Sequence, residues 1–119
     1  ANEKPAAEPD LSSLEYVKLN NQFIIPVVND GQVVSLVVMS LNLEVAAGGR
    51  ELVYQREPKL RDVFLQVLFD HANAGGFDGA FTSGSNMTQL RDALRESAKK
   101  TLGETLTDVL IVDVVRQDV

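Results

Sequence analysis

Residues Tyr16–Val45, YVKLNNQFIIPVVNDGQVVSLVVMSLNLEV, contain two apolar runs that flank a polar tetrapeptide. The runs are Val17–Val28 and Val33–Val45, and Asn29–Gln32 joins them. Asp-Gly between alternating hydrophobic residues is the strongest short-range signal for a β-hairpin. Both runs exceed the usual strand length of about 5–6 residues. The stretch therefore predicts a long hairpin that carries almost no reactive side chain.

The alternation in both runs places the odd-numbered apolar residues on one face. These are Val17, Leu19, Phe23, Ile25 and Val27 in the first strand, and Val33, Val37, Met39, Leu41, Leu43 and Val45 in the second. A two-residue loop would put the two sets on opposite faces, as a one-residue slip does. We therefore predict a three-residue loop, Asn29–Gly31, with a type I turn and Gly31 left-handed in a G1 bulge. It would pair Val27 with Val33, Phe23 with Val37, and Leu19 with Leu41.

The opposite face of the hairpin is polar far from the turn and apolar near it. The apolar residues are Ile24, Val28, Val34, Leu36 and Val38. A sheet face of this kind is covered either by the rest of its own domain or by a partner.

Residues Arg50–Asn73 have a helical pattern that Pro58 interrupts, which predicts a short helix followed by a main helix, or one kinked helix. The apolar stripe after Pro58 is broad. It contains Leu60, Val63, Phe64, Val67, Leu68 and His71, and Leu65, Phe69 and Ala72 widen it. A stripe of this width indicates a helix that is buried on two sides.

A glycine-rich loop, Ala74–Ser85, follows, and we expect its Phe77 and Phe81 to dock on the core or on a neighbour. Asn86 is predicted to cap the next helix, and Gly103 is predicted to end it. The apolar stripe of this helix is Met87, Leu90, Leu94, Ala98 and Leu102.

A final strand is predicted over Leu106–Val115, with Leu110, Val112 and Val114 facing the helices. The order of elements predicts an α+β domain: a long β-hairpin, two to three helices and a C-terminal strand, in a small sheet with helices packed on one face. Residues 1–13 are rich in Ala, Pro and Glu and are predicted to form a flexible linker, so that 14–119 is the folded domain.

Composition excludes several classes of function. The net charge is −6, with few clusters of Lys and Arg, so nucleic-acid binding is not expected. The chain has no cysteine, which excludes thiol catalysis and thiolate metal sites, and it has no apolar run of about 20 residues that would span a membrane.

No motif for chemistry survives inspection. The only histidine, His71, lies on an apolar helical stripe, which favours a structural role over a ligand or base. The glycine-rich loop lacks the Gly-Lys-Ser/Thr of a phosphate loop and follows a helix. Asp78-Gly79 has no further carboxylates at calcium-loop spacing. We therefore predict no catalytic, cofactor-binding or metal-binding residue, and no cofactor.

Several segments together resemble a known family. They are YVKLNNQFIIPVV and VVSLVVMSLNLEV in the hairpin, EPKLRDVFLQVL and LRDALRESAKKTL in the helices, and LTDVLIVDVVRQDV at the end of the chain. Pro58 followed by Leu60-Arg61-Asp62 contributes most to the likeness. These segments resemble the periplasmic domain of the flagellar basal-body-associated protein FliL, from about Leu14 to the C-terminus.

The resemblance implies a fold similar to that of the stomatin/prohibitin (SPFH) domains. It also implies a single-pass anchor helix before residue 1, on the periplasmic side of the bacterial inner membrane. Family members associate with the flagellar stator proteins, form rings around the stator and support torque, swimming and swarming. The family has no catalytic residues to carry over.

Our first hypothesis is a non-enzymatic, self-associating scaffold of the flagellar motor. Its expected contact residues are Ile24, Leu36 and Val38 on the hairpin, Leu65 and Phe69 on the helix, and Phe77 and Phe81 in the loop. For each of them, packing inside the domain is the competing interpretation. The alternatives are a periplasmic α+β protein-binding module unrelated to flagella, and an enzyme that would use His71 and acidic residues.

Overall fold

The computed structural model describes residues 13–119, so that nearly all of the predicted linker lies outside the described residues. The elements are β1 (Glu15–Lys18), β2 (Phe23–Asn29), β3 (Gln32–Val45), α1 (Arg50–Asn73), α2 (Gly84–Leu102) and β4 (Leu106–Asp118). The four strands form one antiparallel sheet, and the apolar stripes of both helices are buried on one side of it. This confirms the predicted α+β class.

The long strand β3 is the centre of the sheet. β1 and β2 pair with it along one edge, and β4 pairs with it along the other. The predicted first strand of the hairpin is thus split. Between the pairs Lys18–Asn42 and Phe23–Met39, the chain advances five residues on one side and three on β3. Because the difference is even, the odd-numbered residues of both β1 and β2 face the helices.

The predicted three-residue loop is wrong. Asn29 pairs with Gln32, and the two residues between them, Asp30 and Gly31, have φ values of 52° and 75°. Two consecutive positive φ angles define a type I′ turn, for which Asp-Gly is a preferred sequence. Gly31 is left-handed as predicted, but as part of this tighter turn and not of a G1 bulge.

A bulge one step into β3 restores the shared apolar face. Val28 pairs with Val33 and Val27 pairs with Ser35, so that Val34 has no partner on β2. The predicted pairing of Val27 with Val33 is therefore wrong.

The pairing of Phe23 with Val37 is wrong as well, because Phe23 pairs with Met39 and Ile25 takes Val37. The bulge also turns Val33 to the outer face, where it is 46% exposed and not part of the core. The other odd-numbered residues predicted for the core of the hairpin are buried.

Helix α1 runs without interruption through Pro58, so of the two predicted alternatives the pair of separate helices is wrong. Pro58 lacks an N–H group, so the Tyr54 carbonyl loses its partner in the helix. Both residues are exposed, so water can reach that carbonyl. On the inner side of α1, Leu60, Phe64 and Leu68 are buried against the sheet.

Helix α2 begins at Gly84, and Ser83 is its N-cap residue, so the prediction that Asn86 caps this helix is wrong. Its predicted apolar stripe is buried from Leu90 to Leu102, and Met87 is half-buried. The helix ends at Leu102, and Gly103 follows it with a φ of 64° and a ψ of −139°, a backbone conformation that glycine adopts at little cost.

Strand β4 has two bulges, and they change which residues face the helices. Thr107 and Val112 have no partner in the pairing with β3. The residues packed in the core or against it are Leu106, Val109, Ile111 and Val114. Val114 therefore faces inward as predicted, but the prediction for Leu110 and Val112 is wrong, and Val112 is 57% exposed. A continuous alternation cannot reveal a residue that shifts its phase.

Candidate interaction surfaces

The outer face of the sheet, opposite the helices, carries an apolar patch near the hairpin turn. Ile24 on β2, Val38 on β3 and Val115 on β4 lie side by side in register. Pro26 and Leu36 form the next pair toward the turn. Ile24 is 58% exposed, and none of the elements within residues 13–119 covers it. We call the group Ile24, Pro26, Leu36, Val38 and Val115 the outer patch.

The far end of the same face is polar. Tyr16 on β1 pairs with Glu44 on β3. The carboxylate of Glu44 accepts a hydrogen bond from the Tyr16 hydroxyl, and together with the charge of Glu44 this raises the pKa of Tyr16. The outer face therefore changes from polar to apolar along β3, so that its apolar contact area is confined to the turn end.

A second apolar area lies on one flank of α1. Leu65 is half-buried and Phe69 is exposed, and they follow Arg61 at four-residue steps, which places all three on one side of the helix. Arg61 donates hydrogen bonds to the carbonyls of Asn21 (3.0 Å) and Gln22 (2.7 Å), in the connection between β1 and β2. This flank therefore lies over the β2 edge of the sheet.

The glycine-rich loop lies at the opposite edge, against β4. Phe77 is 1% exposed, and its ring packs edge-on against His71 at 4.8 Å and against Phe81 at 6.4 Å. Arg116 on β4 lies 4.9 Å from the centre of the Phe81 ring and donates hydrogen bonds to the carbonyls of Phe77 and Gly79, both at 3.0 Å. The loop is therefore attached to β4 by a single arginine.

Asn86 holds the same loop from the other side. Its amide donates hydrogen bonds to the carbonyls of Gly76 and Phe81. A side chain predicted to cap α2 thus organises the loop before it. Asparagine side chains suit this role because they satisfy backbone groups in turns as readily as at helix ends.

His71 is packed tightly beneath the loop. Its Nε2 atom is buried and has no hydrogen-bond partner. Burial lowers the pKa of His71, and the backbone of Gly76 opposes this in part. Within residues 13–119 no group of three or more His, Asp or Glu side chains could hold a metal ion.

The predicted contact residues thus fall into separate areas. Ile24, Leu36 and Val38 lie together on the outer patch, and Leu65 and Phe69 lie on the flank of α1. Phe77 and Phe81 lie in the loop at the β4 edge, where Phe77 is covered.

Sequence reasoning missed two arginines and one valine. Arg61 and Arg116 are structural clamps, and no local pattern indicates which carbonyls an arginine will reach across 37 to 40 residues of chain. Val115 was missed because the pattern of a single strand does not show that β4 pairs with β3 and places Val115 beside Val38.

No helix among the described residues is both long and apolar enough to cross a membrane. The fold and these surfaces define a small α+β domain whose distinctive features are exposed apolar areas. A family model for the flagellar basal body-associated protein FliL matches residues 16–117. The chain therefore belongs to the FliL family of flagellar basal body-associated proteins. No curated protein matches the chain.

Proposed function

We propose that this domain is a non-enzymatic accessory scaffold of the flagellar motor. It associates with the stator and supports torque and thereby swimming and swarming. Family membership supports a role at the basal body. The stator contact, the ring, the anchor helix before residue 1 and the periplasmic location are parts of the proposal.

The observation that carries the proposed ring is the position of apolar surface on two different sides of the domain. A closed ring needs heterologous contacts, in which two different patches of the same chain meet head to tail. Phe69 on the α1 flank lies over the β2 edge, whereas Phe81 lies in the loop at the β4 edge. Each copy thus offers one surface to the copy before it and another to the copy after it.

Cysteine crosslinking tests the ring directly, because residues 1–119 contain no cysteine that would compete with the introduced ones. In the full-length protein in its membrane, Phe69→Cys combined with Thr82→Cys, beside Phe81, should give a ladder of disulfide-linked multimers on oxidation. Each single variant should give dimers at most. A double variant that stops at the dimer would rule out the head-to-tail arrangement.

Motility tests the link to the motor. Ile24→Asp places a charge in the outer patch and should reduce swimming and the number of stator foci, while flagellar filaments still assemble. Tyr54→Asp is the matched control, because Tyr54 is 53% exposed but lies outside the proposed contact surfaces. Normal torque under load in a strain without the protein would overturn the proposed function.

A further inference from the structure

The two edges of the sheet differ in whether they can accept another strand. The Leu19 N–H donates to the Leu41 carbonyl, so the odd-numbered residues of β3 direct their backbone groups toward β1 and β2. In the pairing of β2 with β3, the backbone groups of Ile25 point toward β3, and those of Pro26 point toward the open edge of the sheet. Proline has no N–H, so the β2 edge lacks a donor in its middle. Natural sheets block exposed edges in this way.

The β4 strand has no proline, although bulges at Thr107 and Val112 interrupt it. The Val119 N–H donates to the Val34 carbonyl at 3.0 Å, so Val114, five residues before it, directs its backbone groups away from β3. Before the bulge, the Val109 N–H bonds to the Asp108 carboxylate at 2.8 Å and not to β3. By the same alternation, the backbone groups of Ile111 also face the free edge.

A groove of about 480 Å³ lies along this edge, between β4 and the first half of α2. Its strand wall includes Ile111, Val112 and Val114, and its helix wall includes Met87 and Arg91. Free backbone groups beside apolar side chains are what an extended peptide needs. The backbone groups supply affinity in β-strand addition, and pockets for alternate side chains supply specificity.

The charged residues of the groove indicate what kind of segment it binds. Arg91 makes no ion pair within residues 13–119, although the protein carries a net charge of −6. An arginine beside an apolar groove suits a carboxylate, which it can bind through two parallel hydrogen bonds. Asp113 lines the same groove, so the carboxylate of the occupant has to lie at Arg91.

Two other occupants fit less well. Residues 1–12 of this chain contain Pro5 and Pro9, and Leu11 is their only large apolar residue, so they offer no alternating set of apolar side chains. The β2 edge of a second copy would pair poorly with β4, because Pro26 has no N–H to donate. We propose that the β4 edge binds an extended segment of a partner protein, with apolar side chains at alternate positions and a carboxylate opposite Arg91. Because Thr82 lines this groove and is also the proposed site of the ring contact, a bound segment and a neighbouring copy would compete for the β4 edge.

Synthetic peptides of about six residues, the usual length of a strand, test the proposal with the folded chain. The first peptide alternates valine and threonine and carries a central aspartate, the second carries lysine there, and the third is the first peptide N-methylated on alternate amides. In NMR titrations of the labelled protein, the aspartate peptide should shift the amides of Ile111 and Val114. The lysine and N-methylated peptides should bind at least tenfold more weakly.

Arg91→Glu should weaken the aspartate peptide at least tenfold and strengthen the lysine peptide. Arg95→Glu is the matched control, because Arg95 lies one turn further along α2, outside the groove. Equal binding of the N-methylated peptide, or equal losses in both variants, would overturn the proposal. So would a β4-to-β4 dimer in sedimentation without peptide that Arg91→Glu abolishes, or peptide binding that arises only after residues 1–12 are removed.

Discussion

The guanidinium of Arg61 lies 4.3 Å from the centre of the Phe23 ring, while its two terminal nitrogens bond to the carbonyls of Asn21 and Gln22. One side chain of α1 therefore fastens the interruption between β1 and β2 and covers the first residue of β2. The register shifts by two residues at this break, and the contact gives hydrogen-bond partners to the carbonyls of Asn21 and Gln22, the residues at the interruption.

Replacing Arg61 should show how much this contact stabilises the fold at the interruption between β1 and β2. Arg61→Ala removes two charge-assisted hydrogen bonds and a cation–π contact, so we expect the free energy of unfolding to fall by about 1–2 kcal/mol. Arg61→Lys should recover less than half of the loss, because an ammonium cannot reach both carbonyls in a fixed fork. Urea denaturation measures the change, and Arg95→Ala, on the exposed face of α2, should stay within about 0.5 kcal/mol of the parent. Equal losses from the Arg61 and Arg95 variants would contradict the clamp.

The position of the bulge in β3 can be tested with two valines of the same strand. Val37 is buried, so Val37→Thr should cost about 1–3 kcal/mol, because the new hydroxyl enters the core without a partner. Val33 faces outward, so Val33→Thr should change the free energy of unfolding by less than about 0.5 kcal/mol. If the three-residue loop were correct, both substitutions would be costly, and chemical denaturation distinguishes the two cases.

The sequence predicts the class of fold well because its strongest signals are local. The Asp-Gly turn, the alternation of β3 and the stripe of α2 each arise within a few residues, and the structure has all three. The sequence does not predict which face of the sheet residues take beyond the bulges at Val34 and Val112. A bulge is set by how a strand pairs with its neighbour, and a single strand read alone does not contain that information.

The contact residues depend on the same tertiary information. The alternation alone places Ile24, Leu36 and Val38 on the outer face, so this part of the outer patch could be predicted from the sequence, whereas the pairing of Ile24 with Val38 could not. Phe77 was also predicted to be a contact residue, but its side chain is buried in a loop that Arg116 of β4 binds through the Phe77 carbonyl.

The close contact between Gly76 and His71 predicts a strong effect from one methyl group. A Cβ atom on Gly76 would overlap the imidazole ring of His71, so Gly76→Ala must move either the imidazole or the loop. We expect the free energy of unfolding to fall by about 1–3 kcal/mol, as overpacking commonly costs. Gly84→Ala is the control, because nothing lies within 4 Å of its Cβ position at the start of α2, and it should be neutral or stabilising by up to about 1 kcal/mol. Thermal denaturation of both variants gives the comparison, and a neutral Gly76→Ala would show that the loop does not press on the ring.

The burial of His71 predicts a dependence of stability on pH. Burial lowers the pKa of His71 in the folded state below the value of about 6.5 expected in the unfolded chain. At a pH between these two pKa values, His71 binds a proton in the unfolded chain but not in the folded one. The neutral, buried imidazole therefore contributes its full stability above the unfolded pKa, and this contribution is lost as the pH falls through the folded pKa. For one proton, the free energy of unfolding changes by at most about 1.4 kcal/mol per pH unit.

Since His71 is the only histidine in the chain, its imidazole signals can be titrated by NMR without ambiguity. Urea denaturation at pH values between about 7 and 5.5, above the range where most carboxylates titrate, should show the parent losing stability on acidification. His71→Gln should flatten that dependence, and Gly84→Ala should retain it. A folded-state pKa above that of an unstructured peptide, or an equal slope in His71→Gln, would show that desolvation beneath the loop does not control this group.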